Sequence, residues 1–189
     1  MVVGDLIADL GSQDARIRAR AARSLAEIAD PVTVGPLTAC LRDEAPMVRQ
    51  EAARALGEIK DPCAVSPLIA VLQDPSFEVR AAASSALGHM KARHAVVALI
   101  SALRDESPEV RTSVAYALGQ IMTPRAVQPL IAALGDPSDQ VRASAAWALG
   151  KIRHPDASAQ LVRALSDTSP HVREAALYAI RQLKDHPGD

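Results

Sequence analysis

Pro46-Met47-Val48-Arg49-Gln50-Glu51-Ala52-Ala53-Arg54-Ala55-Leu56-Gly57-Glu58-Ile59-Lys60-Asp61-Pro62-Cys63-Ala64-Val65-Ser66-Pro67-Leu68-Ile69 decides the fold. Val48, Ala52, Ala55, Leu56 and Ile59 fall at helical spacing and form one apolar stripe. After the Asp61-Pro62 turn, Val65, Leu68, Ile69 and Leu72 form a second. Pro67 fits the second helix because the first four helical N–H groups have no intrahelical partner to lose. Outward from this stretch, the pair Val48-Arg49 recurs as Ile17-Arg18, Val79-Arg80, Val110-Arg111, Val141-Arg142 and Val172-Arg173, at a fixed step of 31 residues. A fixed period of about 20–50 residues marks a solenoid, whose units bury their apolar faces by stacking on neighbours.

The expected fold is therefore all-α, a solenoid of six helix–turn–helix repeats with twelve helices and no strands. The repeats fall at about 1–29, 30–60, 61–91, 92–122, 123–153 and 154–189, one continuous array. In the third repeat, Asp74 or Ser76 is expected to cap the second helix, with Pro75 in its first turn. Apolar residues make up 49% of the 189-residue chain but aromatics only 2%, so Ala, Leu, Ile and Val must build the core. The net charge of −1 gives no general attraction to nucleic acid or anionic membrane. No apolar run is long enough for a transmembrane helix, and the N-terminus lacks a signal-peptide pattern. Cys40 and Cys63 occupy different columns of the repeat and read as free thiols of a cytoplasmic protein.

The run Val48-Arg49-x-x-Ala52-Ala53-x-Ala55-Leu56-Gly57-x-Ile59, with Asp61-Pro62-x-Ala64-Val65-x-Pro67-Leu68-Ile69, resembles the HEAT-like repeats of phycobilin lyases. The resemblance covers essentially the whole chain. The fourth repeat departs most, with Arg93 in place of the turn proline and Ala98 in place of the helix proline. The resemblance implies a right-handed superhelix with first helices outside and second helices lining a concave surface. It also implies a ladder between successive turns, built from Arg49, Arg80, Arg111, Arg142 and Arg173 with Asp43, Asp74, Asp105, Asp136 and Asp167. Each of these Asp residues stands six positions before an Arg, and one such pair per repeat is what a stacking role requires.

Gly57, Gly88, Gly119 and Gly150 share a column, where a bare backbone lets the next repeat approach closely. At the ends the pattern turns polar: Arg181 takes the Gly position, Glu174 and Lys184 lie nearby, and Asp5 and Asp9 replace apolar columns of the first unit. The expectation is an array capped at both ends, with Leu177 either a lone exposed apolar residue or a weak end-to-end contact, the former preferred.

One column of the second helices stands out: Arg23, Arg54, Ser85, Tyr116, Trp147, Tyr178. It holds the only Trp and both Tyr of the chain. Tyr and Trp are the residues most enriched at binding hot spots. Tyr116, Trp147, Tyr178, Arg54, Arg23, His89 and Lys151 are the candidate partner-binding residues. The competing reading is that the rings lean sideways and fill gaps between helices.

The same face carries five positive residues, Arg16, Arg20, Arg23, Arg54 and Lys151, and five negative, Glu27, Glu51, Glu58, Glu78 and Glu109. That balance speaks against nucleic acid, which needs uncompensated Lys and Arg, although HEAT-like DNA glycosylases also carry aromatics and acids in a groove. HEAT-like deoxyhypusine hydroxylases bind iron through His-Glu pairs, and none of His89, His94, His154, His171 and His186 precedes a Glu. No Gly-rich phosphate loop is present. The chain reads as a non-enzymatic, monomeric scaffold binding another protein or peptide, without cofactor, metal or membrane. The alternative is a phycobilin lyase-like subunit handling a chromophore or its acceptor protein. An engineered repeat protein also fits the regular period, although Ala98, Thr38 and Val114 break the framework.

Overall fold

A computed structural model describes residues 2–184. By contacts the chain divides into two compact units, Met1–Ala95 and Val96–Asp189. The first unit holds α1 (Val3–Asp9), α2 (Ala15–Ile28), α3 (Val34–Cys40), α4 (Pro46–Ile59), α5 (Val65–Val71) and α6 (Phe77–His89). The second holds α7 (Val96–Ala102), α8 (Pro108–Ile121), α9 (Val127–Ala133), α10 (Asp139–Ile152), α11 (Ser158–Ala164) and α12 (Pro170–Lys184). The described residues thus form twelve α-helices in six pairs, with no strand among them.

Within each unit the even-numbered helices pack tightly side by side, whereas the odd-numbered ones touch mainly their own partners. The core lies between the two layers. Leu25, Leu56, Leu87, Leu118 and Leu149 are fully buried in the long helices, and Leu37, Leu68, Leu99, Leu130 and Leu161 meet them from the short ones. Burying one such side chain contributes about 1.5–3 kcal/mol.

The glycine column carries the tight packing. A Cβ on Gly57 would stand 2.7 Å from the Cα of Ala86, and one on Gly150 would stand 2.7 Å from that of Ala179. The long helices α2, α4, α6, α8 and α10 are each followed by a left-handed residue that turns the chain: Ala29, Lys60, Lys91, Met122 and Arg153. None is glycine. A one-turn 3-10 segment follows, then the short helix. Pro62–Ala64 precedes α5, so Pro67 sits in the first turn of a helix that starts at Val65. The fourth pair forms without its prolines: Arg93–Ala95 makes the same 3-10 turn and α7 follows.

The start of α6 differs from the expectation. Ser76 occupies the N-cap, but its hydroxyl makes no capping bond and instead donates to Glu78 at 2.5 Å. Asp74 is held away from the helix amides by the Ser76 N–H and by Arg49, and Pro75 precedes the helix. Proline does occupy the first helical position at Pro46, Pro108 and Pro170. Cys40 and Cys63 are free, the former buried and the latter exposed. Among the described residues no helix is long and apolar enough to cross a membrane. Leu177 is 42% exposed, whereas Ala22, Ala53, Ala115 and Ala146 in its column are fully buried.

Candidate functional site

The ladder is built from charged residues with little access to water. Arg49 Nε donates to Asp74 Oδ2 at 2.7 Å and its Nη2 to Oδ1 at 2.8 Å, while Nη1 donates to the Asp43 carbonyl at 2.9 Å. Arg18 grips Asp43 in the same way, Arg111 grips Asp136, and Arg142 grips Asp167. Each Arg thus ties its own turn through a backbone carbonyl and the following repeat through a carboxylate. Asp43, Asp74, Asp136 and Asp167 each offer a carbonyl to the Arg six residues on and a carboxylate to the Arg of the preceding repeat. Arg80 donates to the Asp74 carbonyl and Arg173 to that of Asp167, both at 2.8 Å. Asp105 accepts the Ser107 amide at 2.9 Å.

Two-pronged bonds of this kind are strong and geometrically selective. The Arg18 bond holds the Asp43 carboxyl below the usual range, and the Arg142 bond does the same for Asp167. At Asp74 and Asp136 burial pushes the other way, but the Arg bond, a backbone amide and neighbouring Arg charges together outweigh it, and both stay low.

The candidate binding residues form two patches, one in each unit. In the second unit, the i, i+31 spacing on α8 and α10 stacks Tyr116 against Trp147, with centroids 4.6 Å apart and planes 15° from parallel. Tyr116 is 38% exposed and Trp147 half-buried, so the pair forms a partly wetted aromatic ledge. Gly119 makes the stack possible: a Cβ there would stand 2.8 Å from Trp147 Cζ3. Tyr178 on α12, also half-buried, lies over the next glycine of the column, its Cε1 3.3 Å from where a Cβ on Gly150 would be. Lys151, one turn after Trp147, places its ammonium 5.9 Å from the Trp centroid, within cation–π range. Gln120, which the sequence reading did not single out, donates to the Tyr116 hydroxyl at 2.9 Å. Its i+4 spacing from Tyr116 was the available signal. Trp147 and Tyr178 therefore both lean over glycines and keep part of their surface exposed.

In the first unit, Arg23 is not free. Its Nη2 donates to Glu51 Oε1 at 2.7 Å and its Nε to Oε2 at 3.2 Å. Glu51 is buried, although the helical stripe placed it outward. Arg54 is exposed and lines an open depression with Arg23, Glu27, Glu51 and Glu58. His89 Nδ1 lies 3.7 Å from Glu58 Oε1 and is also exposed. Among the described residues, no group of three or more His, Cys, Asp or Glu is placed to hold a metal ion.

A family model described as HEAT repeats matches residues 4–76, 65–142 and 127–188. The complex of CpcE and CpcF of phycocyanin lyase from Nostoc sp. is similar at 30% identity and a TM-score of 0.76, over 94% of this chain and 75% of that one. An engineered protein is similar at 25% identity and a TM-score of 0.71, over 97% and 96% of the two chains. A designed armadillo repeat protein, solved in complex with a (KR)4 peptide, shares the fold at 22% identity and a TM-score of 0.73, over 97% and 100%. No curated protein matches the chain.

Proposed function

The chain belongs to the HEAT repeat family, and on that premise we propose a non-catalytic scaffold that binds another protein or peptide along the face of its long helices. The observation that carries this reading is the ledge of Tyr116 and Trp147. Two large rings stacked at 4.6 Å, left partly wetted and bordered by Lys151 and Gln120, present what a partner's side chains bury most profitably. Tyr178 extends the ledge by one repeat. Arg54 and His89 offer polar contacts on the first unit, while Arg23 is already engaged by Glu51. The ladder pairs support a role without catalysis, because these strong charge pairs are consumed in holding repeats together. The two free thiols fit the reducing cytoplasm.

Trp147 is the only Trp, so its fluorescence reports on the ledge directly. A partner that binds there changes Trp147 emission, and Tyr116→Ala or Tyr178→Ala lowers its affinity. A partner whose affinity is unchanged in Trp147→Ala and Tyr116→Ala makes the ledge packing and defeats the proposal.

A second reading is favoured by the likeness to the CpcE–CpcF complex, which extends over 94% of this chain. On that reading the protein handles a bilin chromophore or the protein that accepts it, with the ledge stacking against the conjugated rings. An absorption band shifted on mixing with a bilin, and lost in Trp147→Ala, supports it. An unshifted spectrum rejects it.

A further inference from the structure

The odd-numbered helices leave open grooves between them, and two of these grooves share five position-matched residues. In the first unit, the groove between α3 and α5 is lined by Leu41, Arg42, Pro67 and Ala70, with Asp74 at its edge. In the second, the groove between α7 and α9 is lined by Leu103, Arg104, Pro129 and Ala132, with Asp136 at its edge. Each residue of the second set stands two repeat periods after its counterpart. Ala70 and Ala132 are exposed, so small side chains keep both grooves open.

The charge is specific to these two grooves. The column of Arg42 and Arg104 reads Gly11, Gln73, Gly135 and Ser166 in the other repeats. Arg42 and Arg104 are exposed, and among the described residues their guanidinium groups make no hydrogen bond or ion pair. The neighbouring carboxylates are spent: Asp74 is held by Arg49 and the Ser76 amide, and Asp136 by Arg111 and the Ser138 amide. Each groove therefore combines an apolar floor with one uncompensated guanidinium fork, whose natural complement is a carboxylate held in two-pronged fashion.

We propose that these grooves are a pair of equivalent docking sites for an acidic peptide segment of a partner protein. An aliphatic side chain of the segment enters between the short helices, and an adjacent Asp or Glu reaches Arg42 or Arg104. Both grooves are built by short helices, whereas the aromatic ledge is built by long ones, and the grooves do not depend on it.

The test is selection of a random displayed peptide library on the immobilised full chain, followed by calorimetric titration of the recovered peptides. Peptides carrying Asp or Glu beside Leu, Ile, Val or Met are expected, binding at two per chain. Arg42→Glu or Arg104→Glu should each remove one site, with affinity there falling at least about tenfold, the loss of one charge-assisted bond. Ala70→Leu and Ala132→Leu, at exposed positions, should block the same sites by filling them. Trp147→Ala should leave binding unchanged. Recovery of basic peptides, or of peptides indifferent to both Arg42→Glu and Arg104→Glu, would overturn the proposal, as would recovery of no binder at all.

Discussion

Arg49 and Asp74 belong to adjacent helix pairs and meet through two bonds of 2.7 and 2.8 Å, with side chains only 11% and 8% exposed. Removing one partner strands the other in a half-dry setting. Asp74→Ala is expected to cost about 2–3 kcal/mol, a hydrogen-bonded charge lost beside an unpaired one. Arg49→Ala should cost a similar amount, and the double variant much less than the sum. A double-mutant cycle from urea unfolding measures the coupling. Additive losses would show that the two residues act independently.

The same bonds set the acid response. Asp43, Asp74, Asp136 and Asp167 all titrate below their ordinary value in the folded chain. The unfolded chain therefore takes up protons first as pH falls. The stability these groups contribute is fully present above about pH 5 and is lost progressively below about pH 4. Urea midpoints between neutral pH and about pH 3 should fall steeply, and Asp74→Asn should make the decline shallower while lowering the neutral plateau.

Two glycine substitutions should have opposite signs. Gly119→Ala puts a Cβ 2.8 Å from both the Ala148 Cα and the Trp147 ring. The overlap outweighs the usual gain of replacing a helical glycine, and a loss of about 1–3 kcal/mol is expected, with altered Trp147 fluorescence. Gly35→Ala, in α3, meets nothing within 4 Å and should stabilise by up to about 1 kcal/mol. Thermal melts of the two variants separate the effects.

Lys60 closes α4 in the left-handed region at φ 59°, where a side chain is strained and glycine is not. Lys60→Gly should raise stability by about 1 kcal/mol, the relief of strain exceeding the added freedom of the unfolded chain. A lower melting temperature would contradict this.

The 31-residue step made the helix pairs, the ladder and the glycine column legible, because each rests on spacing along one chain. Contacts that depend on side-chain rotamers were not legible. Glu51 reads as an outward residue of α4, and only the neighbouring helix shows that Arg23 covers it. Placing Tyr116 and Trp147 in one column foretold their proximity, but the tilt that stacks them depends on the space above Gly119. The turns after the long helices carry Lys60, Met122 and Arg153, so no glycine signalled the left-handed bend. Ser76 looks like a helix cap by type, yet the competing pull of Glu78 takes its hydroxyl.

The ladder also bears on how the chain reaches this state. Arg18 with Asp43, Arg49 with Asp74, Arg111 with Asp136 and Arg142 with Asp167 each close a loop of the same 25-residue separation. Loops that short cost little entropy to close, and contacts between near neighbours in sequence favour fast folding. Once one helix pair has formed, the next has its template beside it. Within each unit, growth can spread step by step along the chain, without waiting for distant segments to find one another.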